Sequence, residues 1–75
     1  MTYQNRIEIN PLICSGKPVI KGTRIIVSDI LIQLAFGETF DNLKRGYPGL
    51  NDEDIRAALE FAAATIDNVE VEELK

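Results

Sequence analysis

The sequence predicts an α+β protein, mostly α, in which a short N-terminal β-ribbon precedes three helices. Three observations predict it. First, Gly16-Lys17-Pro18-Val19-Ile20-Lys21-Gly22-Thr23-Arg24-Ile25 sets two β-branched residues between turn formers, because Gly tolerates positive φ and Pro locks φ. Second, apolar residues after position 28 recur at helical spacing behind Ser28, Thr39 and Asn51, all good helix caps. Third, 75 residues leave room for one small core and no second domain.

Taken in order, Arg6-Ile7-Glu8-Ile9 alternates polar and apolar side chains, a half-buried strand signal that Asn10-Pro11 ends. Leu12 and Ile13 are expected to pack inward, with Cys14 a small apolar filler beside them. The Gly16–Ile25 ribbon follows, and Ile25-Ile26-Val27 suits a buried strand. Ser28 is expected to cap a helix over 29–36, with Asp29 at its positive end and Ile30, Leu31, Leu34 and Ala35 on one face. Ile32 and Phe36 lie off that stripe, which predicts cover on two sides, and Gly37 stops the helix. Thr39 caps a second helix with Phe40 and Leu43 inward, which Tyr47-Pro48-Gly49 breaks. Asn51 caps the third, with Leu50 and Ile55 spaced as a hydrophobic staple. Ile55, Ala58, Leu59, Ala62 and Ile66 form its apolar stripe, and Asp67-Asn68 ends it. The expected organisation is one domain, 1–75, with a ribbon over 1–27, a three-helix core over 28–66 and an acidic tail over 67–75, which adds to a partner edge or frays.

Composition narrows the function. There is one Cys and no His, so a zinc or iron–sulfur site within the chain is not expected, and the commonest neutral-pH base is missing. No apolar run reaches membrane-spanning length, and residues 1–6 lack a signal-peptide core, so the expectation is a cytoplasmic protein without a membrane role. Cys14 has no His to activate it and only Lys17 near it in sequence, and Glu8, Glu38 and Asp41 show no spacing that pairs carboxylates. Asp52, Glu53 and Asp54 are consecutive helical positions pointing in different directions, which helix-dipole complementarity explains better than metal binding. The reading is a protein that is not an enzyme and carries no cofactor.

Charge is segregated. Residues 1–27 hold four cations against Glu8 alone, whereas residues 28–75 hold eleven acids against four cations. The candidate binding residues are the cations of the ribbon, Lys17, Lys21 and Arg24, positioned by turns at Gly16, Pro18, Gly22 and Thr23. The alternative is that Lys17 and Arg24 pair with this chain's own acids or bind helix C-termini. Helices two and three resemble a helix-turn-helix in outline, yet the third opens with three carboxylates where phosphates would lie, which opposes ordinary major-groove reading.

Ile9-Asn10-Pro11, the Cys14–Ile25 block, Tyr47-Pro48-Gly49-Leu50 and Asp54-Ile55 together resemble the bacterial family called domain of unknown function 433. Asn10 and Ile26 depart from its pattern, standing where Asp and Pro are expected. The resemblance implies a tri-helical core that is homeodomain-like or winged-helix-like, often in a dimer. It also implies an antitoxin similar to the VapB type, partnered with a PIN-like ribonuclease toxin.

Three functions from different classes follow. In the first, the ribbon binds and inhibits a toxin nuclease, Arg24 meeting the carboxylates that hold its metal. In the second, the protein is a small dimeric DNA-binding regulator whose Lys17, Lys21 and Arg24 contact phosphates. In the third, it is a homodimeric structural subunit that pairs strands across a two-fold axis.

Overall fold

A computed structural model describes residues 3–67. The expected tail, apart from Asp67, lies outside these residues. The fold is α+β and mostly helical: a two-stranded antiparallel sheet of β1 (Ile7–Glu8) and β2 (Val19–Ile20), then α1 (Val27–Ala35), α2 (Phe40–Gly46) and α3 (Asp52–Asp67). Ile7 pairs with Ile20 and Glu8 with Val19. A single 3-10 turn, Tyr3–Asn5, precedes β1 and packs on α3.

The ribbon is tied on both edges of β2. On one side lies β1; on the other, Ile20 N–H donates to the Ile25 carbonyl at 2.9 Å and Val27 N–H to the Pro18 carbonyl at 2.9 Å. Backbone donors and acceptors that would be costly to bury are thereby paired, and Val19 and Ile20 are both buried. Ile25-Ile26-Val27 is accordingly not the expected strand. Ile26 makes one antiparallel bridge with Val19, and Val27 is already the first residue of α1. The same bond displaces Ser28 from its expected capping role: Ile26 occupies the N-cap position without a side-chain cap, and Ser28 sits in the first turn.

Asn10 performs the turn at the end of β1. Its Oδ1 accepts from Leu12 N–H at 2.9 Å and its carbonyl from Ile13 N–H at 2.9 Å, an Asx-turn for which an amide serves as well as a carboxylate. The turn carries Leu12 outward, 88% exposed, against the expectation that it packs inward, whereas Ile13 is half-buried; β1 stops before Ile9, which is exposed too. Beyond it, Cys14, Ser15 and Gly16 take φ values of +49°, +59° and +82°, a left-handed turn held by Gly16 N–H to the Ile13 carbonyl at 3.0 Å. Cys14 is half-buried, its S–H directed at the Arg24 carbonyl at 3.7 Å.

The core joins Ile20 to Val27 and Ile30 of α1, Leu43 of α2, and Leu50, Ile55 and Ala58 around α3. Complete burial of one such aliphatic side chain stabilises by about 1.5–3 kcal/mol. Gly37, at φ +94°, closes α1: its N–H reaches the Leu34 carbonyl and Glu38 N–H the Gln33 carbonyl, both at 3.0 Å, the paired bonds of a Schellman stop. Thr39 Oγ1 accepts from Asn42 N–H at 3.1 Å, capping α2 as expected. Gln33 Nε2 donates to the Tyr47 hydroxyl at 2.7 Å, tying α1 to the break after α2.

Asn51 and Asp54 cap α3 reciprocally. Asp54 N–H donates to Asn51 Oδ1 at 2.8 Å and Asn51 N–H to Asp54 Oδ2 at 3.2 Å. Leu50 and Ile55 are buried together, completing the staple. The predicted stripe holds for Ile55 and Ala58 but not for Leu59 or Ile66, which are exposed. The buried positions are Asp54, Ile55, Ala57 and Ala58, because α3 runs 16 residues whereas α1 and α2, which cover it, run 9 and 7. The expectation that Ile32 and Phe36 are covered also fails within one chain: they are 53% and 86% exposed.

Candidate partner-binding ribbon

Lys17, Lys21 and Arg24 are exposed, and none makes an ion pair among the described residues. Their pairing with this chain's own acids is therefore not what the structure contains. The turns between them are held tightly. Thr23 Oγ1 donates to the Ile20 carbonyl at 2.7 Å and accepts from Ile25 N–H at 3.0 Å, and Thr23 N–H also reaches the Ile20 carbonyl. Gly22 takes φ +79°, with its N–H turned toward Glu8 Oε1 at 3.5 Å. At Gly16 a Cβ would lie 3.7 Å from the Pro11 Cα, so positive φ, not crowding, requires glycine there. Gly16, Pro18, Gly22 and Thr23 thus shape the ribbon, and the three cations project from it.

The remaining charges are organised differently. Arg6 Nη1 and Nη2 reach Asp54 Oδ1 at 3.0 Å and Glu53 Oε2 at 2.8 Å. Lys44 Nζ reaches Asp52 Oδ1 at 2.8 Å and Asp41 Oδ1 at 3.5 Å. The hydrogen bond from Lys44 holds the Asp52 carboxyl below its ordinary range, and the same bond raises Lys44. All three carboxylates opening α3 are thus engaged by cations from elsewhere in the fold, beyond the dipole complementarity read from sequence. They are oriented by those contacts, and among the described residues no group of three His, Cys, Asp or Glu is placed to hold a metal.

Arg6 and the exposed pair Ile9 and Leu12 escaped the sequence reading. Arg6 is the first cation of the chain, and its partners lie 47 and 48 positions away, a separation that no local pattern signals. Leu12 is two residues past Asn10, the position an Asx-turn lifts to the tip of a loop.

A second feature lies between α1 and α3. An open apolar groove of about 260 Å³ is lined by Pro18, Val27, Leu31, Phe61, Ala62 and Ile66 among others. No helix among the described residues is long and apolar enough to cross a membrane.

The ribbon with its Gly-Lys-Pro-Val-Ile-Lys-Gly-Thr-Arg block, set on three helices, lies almost wholly within the stretch that matches a known protein family. Residues 7–62 match the family described as Protein of unknown function (DUF433), and the chain belongs to it. The uncharacterized protein y4eO of Sinorhizobium fredii is 36% identical over 58 residues. That match takes in 77% of this chain but 26% of the relative, so the chain spans about a quarter of that protein's length. The crystal structure of a DUF433 member protein from Anabaena variabilis is similar at a TM-score of 0.79 and 32% identity, over 96% of this chain and 71% of that one.

Proposed function

We propose that this chain is an antitoxin-like binding protein, not an enzyme, that forms a homodimer when free and binds and inhibits a PIN-like ribonuclease toxin through its ribbon. The observation that supports this reading is the make-up of the ribbon surface. Lys17, Lys21 and Arg24 stand without ion pairs among the described residues, on the same 9–24 segment as exposed Ile9 and Leu12. Cations and large exposed aliphatics on one segment suit a protein partner with an acidic, partly apolar face. Phosphate tracking needs the cations alone. A nuclease that holds its metal with carboxylates offers such a face, and the Arg24 guanidinium can engage a carboxylate with two parallel hydrogen bonds.

The test is co-expression with the product of the adjacent reading frame, followed by co-purification and an RNA-cleavage assay. A stable complex without cleavage is the expected result, with inhibition weakened by Arg24→Ala. Full inhibition by Arg24→Ala removes that residue's role, and absence of any complex overturns the reading. The DNA-binding alternative uses the same cations, and a salt titration against upstream DNA discriminates: binding there falls steeply with salt and is lost on charge removal at Lys17, Lys21 and Arg24, and its absence at low salt removes that alternative.

A further inference from the structure

Two adjacent segments of the chain carry opposite charges. Residues 9–24 contain Lys17, Lys21 and Arg24 and no acid; residues 25–43 contain Asp29, Glu38 and Asp41 and no cation. Each segment also exposes two large apolar side chains, Ile9 and Leu12 on the first, Ile32 and Phe36 on the second. Asp29, Ile32 and Phe36 stand at i, i+3 and i+7, one face of α1. Asp41 is engaged by Lys44, whereas Asp29 and Glu38 make no ion pair among the described residues. The exposed face of α1 therefore carries two large apolar side chains and an acid, with Glu38 just beyond the helix end, whereas the ribbon segment carries two exposed aliphatics and three cations, none of these charges ion-paired among the described residues.

We propose that the ribbon of one copy, residues 9–24, docks on the outer face of α1 in a second copy. Each copy presents both surfaces, so a two-fold axis makes the contact twice and closes the assembly. Leu12 and Ile9 cover Ile32 and Phe36, and Lys17, Lys21 and Arg24 face Asp29 and Glu38. The complementarity also explains why a chain with a formal charge of −4 can associate with itself: the repulsion of the whole is outweighed where the local signs are opposite. This names the surfaces of the homodimer in the function proposed above and rests on that reading in one respect. A second copy and a nuclease compete for the same three cations, so the nuclease complex contains one copy of this chain per site.

The test is light scattering of the full chain alone, at micromolar concentration over a salt series. Twice the chain mass is expected at low salt, falling toward one chain as salt rises. Phe36→Glu and Leu12→Glu, at positions 86% and 88% exposed, are each expected to give a monomer with unchanged helical circular dichroism. A pair of charge-swapped chains gives the sharper result. Lys17→Glu/Lys21→Glu/Arg24→Glu and Asp29→Lys/Glu38→Lys are each monomeric alone and dimeric when mixed. A wild-type monomer at low salt, a dimer indifferent to Phe36→Glu and Leu12→Glu, or a mixed pair that stays monomeric overturns the proposal. A mass above two copies overturns the closed two-fold arrangement. Nuclease inhibition by a monomeric wild type rejects the homodimer and leaves toxin inhibition standing, and an intact dimer without inhibition rejects only the toxin inhibition.

Discussion

Arg6 Nη1 donates to Asp54 Oδ1 at 3.0 Å across 48 positions of the chain, and the acceptor is a buried carboxylate that also caps α3. One side chain therefore joins the residue leading into the first strand to the start of the last helix. Removing the guanidinium leaves Asp54 with its backbone partner and no counter-charge in a buried position. Arg6→Ala is expected to lower unfolding free energy by about 1–3 kcal/mol, read from urea denaturation. Glu53→Ala removes the exposed half of the same fork and is expected to cost less than about 1 kcal/mol. Equal losses from the two variants contradict the central place given to Asp54.

The two faces of α1 make a second prediction. Ile30 is fully buried and Ile32 is half-exposed, two residues apart on one helix. Ile30→Ala should cost about 2–5 kcal/mol through lost transfer energy and a residual cavity. Ile32→Ala should stay within about 0.5 kcal/mol when measured at high ionic strength, where charge-assisted self-association is weakest. A large loss at Ile32 under those conditions means that the monomer buries it.

The Lys44–Asp52 link predicts how stability responds at the extremes of pH. Asp52 is held below its ordinary 3.8 by the hydrogen bond from Lys44. Its contribution is fully present above that value and is lost as the pH falls through the lowered one. Lys44 is raised above its ordinary 10.5, first by the hydrogen bond to Asp52, so its contribution is present below that value and lost as the pH rises past the raised one. Asp52→Asn should flatten part of the acid limb of a plot of urea midpoint against pH and part of the alkaline limb. An unchanged plot shows that both groups titrate as they do in the unfolded chain.

The left-handed turn at Cys14–Gly16 holds a serine at φ +59°, where a non-glycine backbone costs about 1–2 kcal/mol. Ser15→Gly relieves that strain while adding about 0.5–1 kcal/mol of unfolded-state entropy. The net expectation is a small gain, read as a higher urea midpoint. A loss shows that the Ser15 side chain contributes a contact that outweighs the strain.

Much of this fold was legible because its signals are local. Thr39, Asn51, Gly37 and the Leu50–Ile55 staple each act within a few residues, and each stands where local chemistry places it. The misreadings arise where a distant segment supplies the partner. Ser28 lost its capping role because the Pro18 carbonyl takes the first free N–H of α1. Val27 looked like a strand residue because β-branching suits strands, and tertiary bonding carried it into a helix instead. Leu59 and Ile66 repeat at helical spacing, but helices as short as α1 and α2 cannot cover all of α3. The candidate cations were legible from charge segregation alone, whereas their freedom from ion pairs depends on where Arg6 and Lys44 direct the acids.

The bond between Val27 N–H and the Pro18 carbonyl joins two surfaces that would otherwise be separate. Pro18 lies directly beside Lys17 in the chain, and both Pro18 and Val27 line the groove between α1 and α3. The candidate binding cation and the wall of the groove therefore share one short stretch of backbone, fastened to the first turn of α1 by that bond and by the Val19–Ile26 bridge.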